Sequence, residues 1–246
     1  MSITCDAMLG GRLQLRQPAS GHRAGSDAVL LAAAVPAQAG ERALELGCGV
    51  GAAALCLARR VPDLKVTGIE IEAKAVELAR QNAALNGLAD RVEIVAGDIA
   101  AMTAAGLSAA DFDHVLLNPP YFAARGGTPS ADSRRVLARV AAEGGLELWL
   151  RVAVAMLRPG GSVTVIHRME RLGDLLQAMR QRFGGVAIYP LWPGGGKPAK
   201  RLILRGRKGS RAALRMLPGL VLHEDGGTYT AGAQAVLRHG GALSLG

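Results

Sequence analysis

The stretch ALELGCGVG, residues 43–51, joins a short apolar run to three glycines at alternate positions. The apolar run predicts a buried strand, and the glycines let the chain turn sharply where that strand ends. Residues 52–60, AAALCLARR, predict the helix that follows. A strand, a glycine turn and a helix in this order are typical of nucleotide-binding α/β folds, in which a ligand approaches the backbone at the helix N-terminus.

The rest of the chain continues this alternation. Further strands are predicted at 66–71, 91–98, 112–118, 162–167, 185–191 and 201–207, and further helices at 28–35, 72–88, 146–157 and 170–183. The pattern predicts an α/β fold with a Rossmann-like, doubly wound sheet of seven strands, mostly parallel. Only residues 192–200 separate the last two strands, which predicts an antiparallel pair. We expect one domain overall, with an N-terminal segment, 1–40, packed on a core of 41–246.

The composition narrows the class of protein. Half of the 246 residues are hydrophobic and 20% are charged, which predicts a sizeable core rather than wholesale disorder. Three cysteines without a CxxC pair and five scattered histidines indicate no metal site and no disulfide framework, as is typical of the reducing cytosol. No signal core and no apolar run of about 18 residues are present. We therefore expect a cytoplasmic protein with no metal and no membrane partner.

The charge is unevenly distributed along the chain. Residues 1–121 carry a net charge of −3, whereas residues 122–246 carry +12. A basic half indicates a polyanionic partner such as RNA, and a solvated basic surface is the alternative. Residues 197–211, KPAKRLILRGRKGSR, are the most basic stretch. The candidates there for contacts with RNA phosphates are Arg205, Arg207, Lys208 and Arg211.

Three carboxylates follow the predicted strands. Glu45 precedes the first glycine, where an acid suits a positively charged ligand rather than a pyrophosphate. Glu70 ends the second strand, where nucleotide-binding folds place an acceptor for both ribose hydroxyls. Asp98 ends the third and can accept from an adenine amino group, or cap a helix that begins near residue 99. The GxGxG spacing differs from the GxGxxG of NAD sites, so the set indicates an adenosine with a charged group near the turn.

The fourth strand ends in LNPPYF, residues 117–122. Two prolines fix the backbone and remove two N–H groups, so a strand-ending turn is the simplest interpretation. Together with the glycine turn and the carboxylates, however, this arrangement resembles the class I S-adenosylmethionine-dependent methyltransferases, in the amino-group-methylating branch marked by NPPY. The resemblance covers residues 44–167.

This resemblance implies a class I methyltransferase fold with one antiparallel strand and S-adenosyl-L-methionine as the cofactor. It implies that Asn118 and the carbonyl of Pro119 accept hydrogen bonds from a planar –NH₂ group, that Pro120 keeps that carbonyl rigid, and that Tyr121 stacks on a flipped base. No strong base is needed, because the nitrogen becomes acidic as it is alkylated. The implied cofactor residues are Gly25, Asp27, Glu45, Gly47, Cys48, Gly49, Gly51, Glu70, Ile71, Asp98, Ile99 and Asn118.

The segment RAGSD, residues 23–27, narrows the resemblance. It is similar to the G-T-D segment of the bacterial tRNA(Val) (adenine-N6)-methyltransferase family, with Ser26 in place of threonine. In related enzymes this segment closes over the cofactor, and a helix N-cap formed by Ser26 or Asp27 is the alternative. The resemblance thus implies N-methylation of an exocyclic amine, most simply adenine N6 of a tRNA.

The loop 124–135 is glycine-rich and basic, which predicts a flap that folds over the substrate, and a plain surface loop is the alternative. We also expect RNA contacts at Phe122 and Arg125. Guanine-N2 methylation of ribosomal RNA and glutamine-N5 methylation of a protein remain open, although glutamine enzymes usually carry a helical domain ahead of the glycine turn. DNA adenine methylation would need a recognition domain that no insert here supplies. A non-catalytic, cofactor-dependent RNA-binding protein is the alternative from another class. The oligomeric state, monomer or dimer, is left open.

Overall fold

The structure, a computed structural model, describes residues 2–21, 23–120 and 145–246, without the side chains of 103–105. Within these ranges the strands are β1 (Ile3–Met8), β2 (Leu13–Pro18), β3 (Arg42–Leu46), β4 (Lys65–Glu70), β5 (Val92–Ala96), β6 (Phe112–Leu117), β7 (Leu157–Arg168), β8 (Phe183–Trp192), β9 (Arg201–Lys208), β10 (Arg215–Met216) and β11 (Leu220–Val221). The α-helices are α1 (Ser26–Ala34), α2 (Ala52–Arg60), α3 (Ala73–Leu85), α4 (Leu146–Met156), α5 (Leu172–Met179) and α6 (Ala231–Leu237). Short 3₁₀ helices span Leu9–Gly11, Ile99–Ala105 and Met169–Arg171.

The main sheet has the order β5–β4–β3–β6–β7–β9–β8–β10, and β11 also pairs with β8. All neighbouring strands run parallel except at β9, which is antiparallel to both β7 and β8. The mostly parallel α/β sheet and the antiparallel pair at its end confirm the prediction.

The predicted count of seven strands was wrong by two. The described residues form a nine-stranded sheet, because β10 and β11 add two residues each alongside β8. Strands this short carry no periodicity that a sequence pattern could reveal. They form because the chain after β9 returns along the edge of β8 and covers its otherwise unpaired backbone groups.

Helices cover both faces of the sheet. One apolar core lies beneath α1, α2, α3 and α6, and a second lies beneath α4 and α5. Side chains of β3 alternate between the two cores, as they must in a strand: Ala43 belongs to the first, and Leu44 and Leu46 belong to the second. Glu45 therefore points towards α2.

The N-terminal residues form a hairpin in which β1 and β2 pair antiparallel. The hairpin packs on α3, with Leu13 and Leu15 buried in the first core. The helix expected at 28–35 begins two residues earlier, at Ser26. The division of the chain at residue 40 stays a prediction.

The ends of the parallel strands place the candidate site. Strands β3, β4, β5, β6 and β7 run in one direction, so their carboxyl ends meet at one edge of the sheet, which we call the carboxyl edge. The strand order reverses between β3 and β6, where open α/β sheets bind their ligands. Gly47 follows β3 and Asn118 follows β6 at this point. None of the helices in the described ranges is long and apolar enough to cross a bilayer.

Candidate active site

The glycine turn, residues 47–51, adopts backbone angles that favour glycine. Gly47, Gly49 and Gly51 have φ values of +64°, +55° and +84°. The Gly51 N–H donates to the Cys48 carbonyl at 2.9 Å, which closes the turn. The indole of Trp149 lies over Gly47, so that a Cβ there would stand 2.6 Å from the ring, whereas a Cβ at Gly49 would meet nothing within 4 Å. The turn is thus held by packing at Gly47 and open to a ligand at Gly49.

Glu45 lies buried behind this turn and is 4% exposed. Its Oε2 accepts a hydrogen bond of 2.7 Å from the Ala54 N–H, in the first turn of α2. Burial raises the pKa of Glu45 to about 8; the nearby Glu70 charge acts in the same direction and the bond from Ala54 acts against it. Glu45 therefore joins the strand to the helix N-terminus, a role that the sequence pattern did not indicate. Its contact with a positively charged ligand stays a prediction.

Replacing Glu45 by glutamine is expected to reduce the pH dependence of stability. Glu45 titrates near its usual 4.5 in the unfolded chain and near 8 in the folded one, so between these values the folded state binds one more proton. Its contribution is therefore present in full below the unfolded pKa and is lost as the pH rises through the folded pKa. The free energy of unfolding, measured with urea between about pH 5 and pH 9, should fall more steeply for wild type than for Glu45→Gln. Parallel curves for the two proteins would contradict this, and the exposed Glu93→Gln serves as the matched control.

Glu70 is already engaged by the backbone. Its Oε2 accepts from the Gly49 N–H at 2.9 Å, and its Oε1 accepts from the N–H groups of Ile71 and Glu72 at 2.8 and 2.9 Å. A carboxylate offers about four acceptor positions, so one remains. Binding both ribose hydroxyls, as predicted, would require release of one backbone N–H. The Ile71 side chain is 43% exposed beside it and offers apolar surface at the carboxyl edge.

Asp98 follows β5 at the same edge. Its Oδ1 accepts from the Ala100 N–H at 2.9 Å, so it caps the 3₁₀ helix Ile99–Ala105. The capping role considered for this residue is thus present, and its contact with an adenine amino group stays a prediction.

Two other predicted cofactor residues have buried side chains. Ile99 is 8% exposed. The Cys48 thiol packs against Gly68, where a Cβ would stand 2.8 Å from its sulfur, and burial raises the pKa of Cys48. The thiol is therefore neutral and enclosed, so only the backbone of Cys48 can meet a ligand.

Asn118 presents a buried acceptor at the switch point. Its Oδ1 is inaccessible to solvent and has no hydrogen-bond partner in the described part of the chain. Pro119 is buried directly after it, and neither Pro119 nor Pro120 has an N–H that could satisfy the oxygen. Leaving such a group unpaired costs about 1–3 kcal/mol, so the oxygen needs a further explanation, which a ligand donor would supply. Tyr121, Phe122, Arg125 and the loop 124–135 lie outside the described residues.

Residues 25–27 reach the carboxyl edge by a contact that was not predicted. Gly25 is the N-cap residue of α1, and Ser26 and Asp27 are the first two residues of the helix, so the alternative in which one of them is the N-cap was wrong. The Asp27 carboxylate instead forms an ion pair with Arg201. Arg201 begins β9 and lies opposite Arg168 at the end of β7. The roles of Gly25 and Asp27 in binding a cofactor stay predictions.

The basic tail runs away from Asn118. Because β9 is antiparallel to β7, Arg207 pairs with Ser162, which in turn pairs with His114, four residues before Asn118. This separation corresponds to about 13 Å along the strands. Arg205 donates to the Gly246 carbonyl and Lys208 to the Leu157 carbonyl. The structure thus directs the proposed RNA-binding residues Arg205, Arg207, Lys208 and Arg211 towards the opposite edge of the sheet.

No group of three or more His, Cys, Asp or Glu side chains able to hold a metal occurs within residues 2–21, 23–120 and 145–246. The site is therefore described by its glycine turn, its carboxylates and the Asn118 amide. The open backbone at Gly49 suits an adenosine cofactor at the turn, and the Asn118 oxygen, which no described residue pairs, suits an amine beside it.

Comparison with known proteins identifies the family. Residues 20–189 match the family model described as the methyltransferase small domain. A tRNA1(Val) (adenine(37)-N6)-methyltransferase of Porphyromonas gingivalis is 34% identical over 89% of this chain and 88% of its own length. A release factor glutamine methyltransferase of Chlorobaculum tepidum is 33% identical over 59% of this chain and 51% of its own.

Among solved structures, that of a predicted O-methyltransferase from Agrobacterium tumefaciens is 31% identical and aligns with a TM-score of 0.76. The alignment covers 88% of this chain and 98% of that one. The chain therefore belongs to the methyltransferase small domain family and is an S-adenosylmethionine-dependent methyltransferase with the class I fold.

Proposed function

We propose that this enzyme methylates an exocyclic amino group of RNA, and that its substrate is adenine N6 in a tRNA. The observation that carries the proposal is the buried Asn118 Oδ1, which has no hydrogen-bond partner among residues 2–21, 23–120 and 145–246. An exocyclic amine has two hydrogens, which suit two acceptors, here Asn118 Oδ1 and the Pro119 carbonyl. A hydroxyl group has one hydrogen and would leave one acceptor unpaired, so the pair favours N-methylation over O-methylation.

The cofactor supplies a methyl group on a positively charged sulfur. Asn118 and the Pro119 carbonyl hold the amine so that its lone pair faces that methyl, and catalysis rests mainly on positioning. The nitrogen loses a proton as it is alkylated, so the site needs no strong base. Gly47, Gly49 and Gly51 would shape the turn that receives the cofactor. Glu70, Ile71 and Asp98 would hold its adenosine, and Glu45 would lie behind its charged end. An enzyme acting on tRNA would work in the cytoplasm.

The proposal of a tRNA substrate rests on the relative from Porphyromonas gingivalis, because the alignment with it covers most of both chains. Glutamine methylation of a release factor is the second candidate, favoured by the relative from Chlorobaculum tepidum. About half of that relative aligns with this chain, which supports the first candidate over the second.

For the RNA surface we propose the loop 193–200 between β8 and β9. It projects from the carboxyl edge, because β8 ends and β9 begins there. Lys197 and Lys200 are exposed on it, and no ion pair of either lysine occurs within the described ranges. Both lysines lie at the carboxyl edge, where Asn118 also lies. Arg207 and Arg211 lie towards the opposite edge, so they could contact only RNA that is far from the target base.

The double variant Lys197→Glu/Lys200→Glu is expected to raise the KM for tRNA by about tenfold and to reduce the salt slope of binding by about 2. The affinity for S-adenosylhomocysteine should stay unchanged. The matched control is Arg207→Glu/Arg211→Glu, which makes the same charge change at the opposite edge and should have a smaller effect. A larger effect in the control would move the RNA surface to the basic tail.

The proposed function is tested by transfer of a labelled methyl group from S-adenosylmethionine to purified tRNA, ribosomal RNA and release factor in parallel. Incorporation into tRNA alone is expected. Incorporation into ribosomal RNA alone, or into the release factor alone, would contradict the proposed tRNA substrate. It would leave methylation of an amine as the proposed chemistry.

A further inference from the structure

Asn82 joins three parts of the molecule at one buried point. It lies on α3 and is fully buried. Its Oδ1 accepts from the Arg16 N–H at 2.8 Å, and its Nδ2 donates to the Arg16 carbonyl at 2.9 Å and to the Val50 carbonyl at 3.0 Å. Arg16 belongs to β2 of the N-terminal hairpin, and Val50 belongs to the glycine turn.

The contact with Val50 fixes a peptide group of the turn. The Val50–Gly51 peptide is held on both sides, because its N–H donates to the Cys48 carbonyl and its carbonyl accepts from Asn82. Gly51 has a φ of +84° and its Cα faces Ala79 of α3, so the same helix also limits the turn sterically. Without Asn82, this peptide would keep its N–H bond and lose its carbonyl bond, and could rotate.

One helical turn later, Asn86 repeats the contact with the hairpin but not the contact with the turn. Its Oδ1 accepts from the Gln14 N–H at 2.9 Å and its Nδ2 donates to the Gln14 carbonyl at 2.7 Å. Four residues of helix rise about 6 Å and two residues of strand about 6.7 Å, so the two amides match Gln14 and Arg16 along β2. In the described part of the chain, Asn86 makes no hydrogen bond to residues 47–51.

We propose that Asn82 is a positioning residue for the cofactor: it holds the Val50–Gly51 peptide in the conformation that binds S-adenosylmethionine and couples that conformation to the docked N-terminal hairpin. The proposal rests on cofactor binding at the glycine turn. It assigns the hairpin a part in cofactor affinity, although the hairpin itself lies behind α3. Asn86, by contrast, fastens the hairpin and donates to the Asn82 carbonyl at 2.7 Å, and it does not contact the turn through a hydrogen bond in the described residues.

The test compares Asn82→Ala with Asn86→Ala by calorimetric titration with S-adenosylhomocysteine and by thermal melting. Both variants are expected to melt at a lower temperature, since both loosen the hairpin. The affinity for S-adenosylhomocysteine should fall about tenfold or more in Asn82→Ala, which corresponds to a binding-competent turn populated in about one tenth of the molecules. In Asn86→Ala the affinity should stay within about twofold of wild type. Equal affinities in the two variants would overturn the proposal.

Asn82→Asp separates the hydrogen bond from the space that the side chain fills. Aspartate keeps the volume and the acceptor for the Arg16 N–H but cannot donate to the carbonyls of Val50 and Arg16, so the affinity should fall as in Asn82→Ala. Wild-type affinity in Asn82→Asp would refute the role of the Val50 bond. A wild-type protein that does not bind S-adenosylhomocysteine would instead refute cofactor binding, so the two failures are distinguishable.

Discussion

Asn118→Ala is expected to lower kcat for methyl transfer by at least about 10²-fold, the scale on which misplacement of a reacting group acts. The truncation removes the one side-chain acceptor at the switch point, whose oxygen is buried and unpaired in the described residues. The amine would then be held by the Pro119 carbonyl alone and could rotate its lone pair away from the methyl group. Steady-state kinetics with tRNA, and titrations with tRNA and with S-adenosylhomocysteine, measure this, and both ligands should still bind.

Asn118→Asp is the matched variant for this prediction. Aspartate keeps an acceptor oxygen in the same place, although it replaces the amide N–H groups by a second acceptor and adds a negative charge, so it should retain more activity than alanine. Wild-type kcat in Asn118→Ala would contradict the mechanism, and loss of RNA binding would indicate a role in recognition instead.

Gly47→Ala is expected to destabilise the protein by about 2–5 kcal/mol and to abolish cofactor binding. Two effects add at this position. The backbone angle φ of +64° disfavours any side chain, and the new methyl group would stand 2.6 Å from the Trp149 ring. Either the turn opens or α4 moves, and both disturb the start of α2. Urea unfolding and titration with S-adenosylhomocysteine measure the two consequences.

Gly87→Ala separates these effects, because Gly87 has nearly the same φ, +63°, and open space around its Cα. It should cost about 1 kcal/mol, the strain alone. The double variant Gly47→Ala/Trp149→Leu should recover part of the lost stability by making room for the methyl group. Equal losses in Gly47→Ala and Gly87→Ala would show that the Trp149 contact is unimportant.

Local patterns predicted the elements that form the site. The apolar run before Gly47, the alternating helices and the proline pair after Leu117 each follow from a few neighbouring residues, and the structure places their ends at one edge. Patterns of this kind do not reveal long-range hydrogen bonds. The hydrogen bond between Glu45 and Ala54 and the ion pair between Asp27 and Arg201 could be identified only from the folded structure.

Two features could have been inferred earlier. An antiparallel last pair of strands already implies that the end of β9 points away from the carboxyl edge, so Arg207 could have been set apart from the site. Asn82 lies among the apolar positions Val76, Ala79 and Ala83 of α3, and a lone amide in such a stripe indicates a satisfied buried contact. The identity of its partners in the hairpin and the turn could not have been inferred, because those residues are distant in sequence.

The most direct test of the central claim is the identity of the methylated nucleoside. Wild-type enzyme and Asn118→Ala would be incubated with tRNA and S-adenosylmethionine carrying a deuterated methyl group, and the digested nucleosides analysed by mass spectrometry. The account predicts N6-methyladenosine that carries the label with wild type, and an initial rate of labelling at least about 10²-fold lower with Asn118→Ala. Label on a ribose oxygen, or on N6 with equal yield from both proteins, would contradict it.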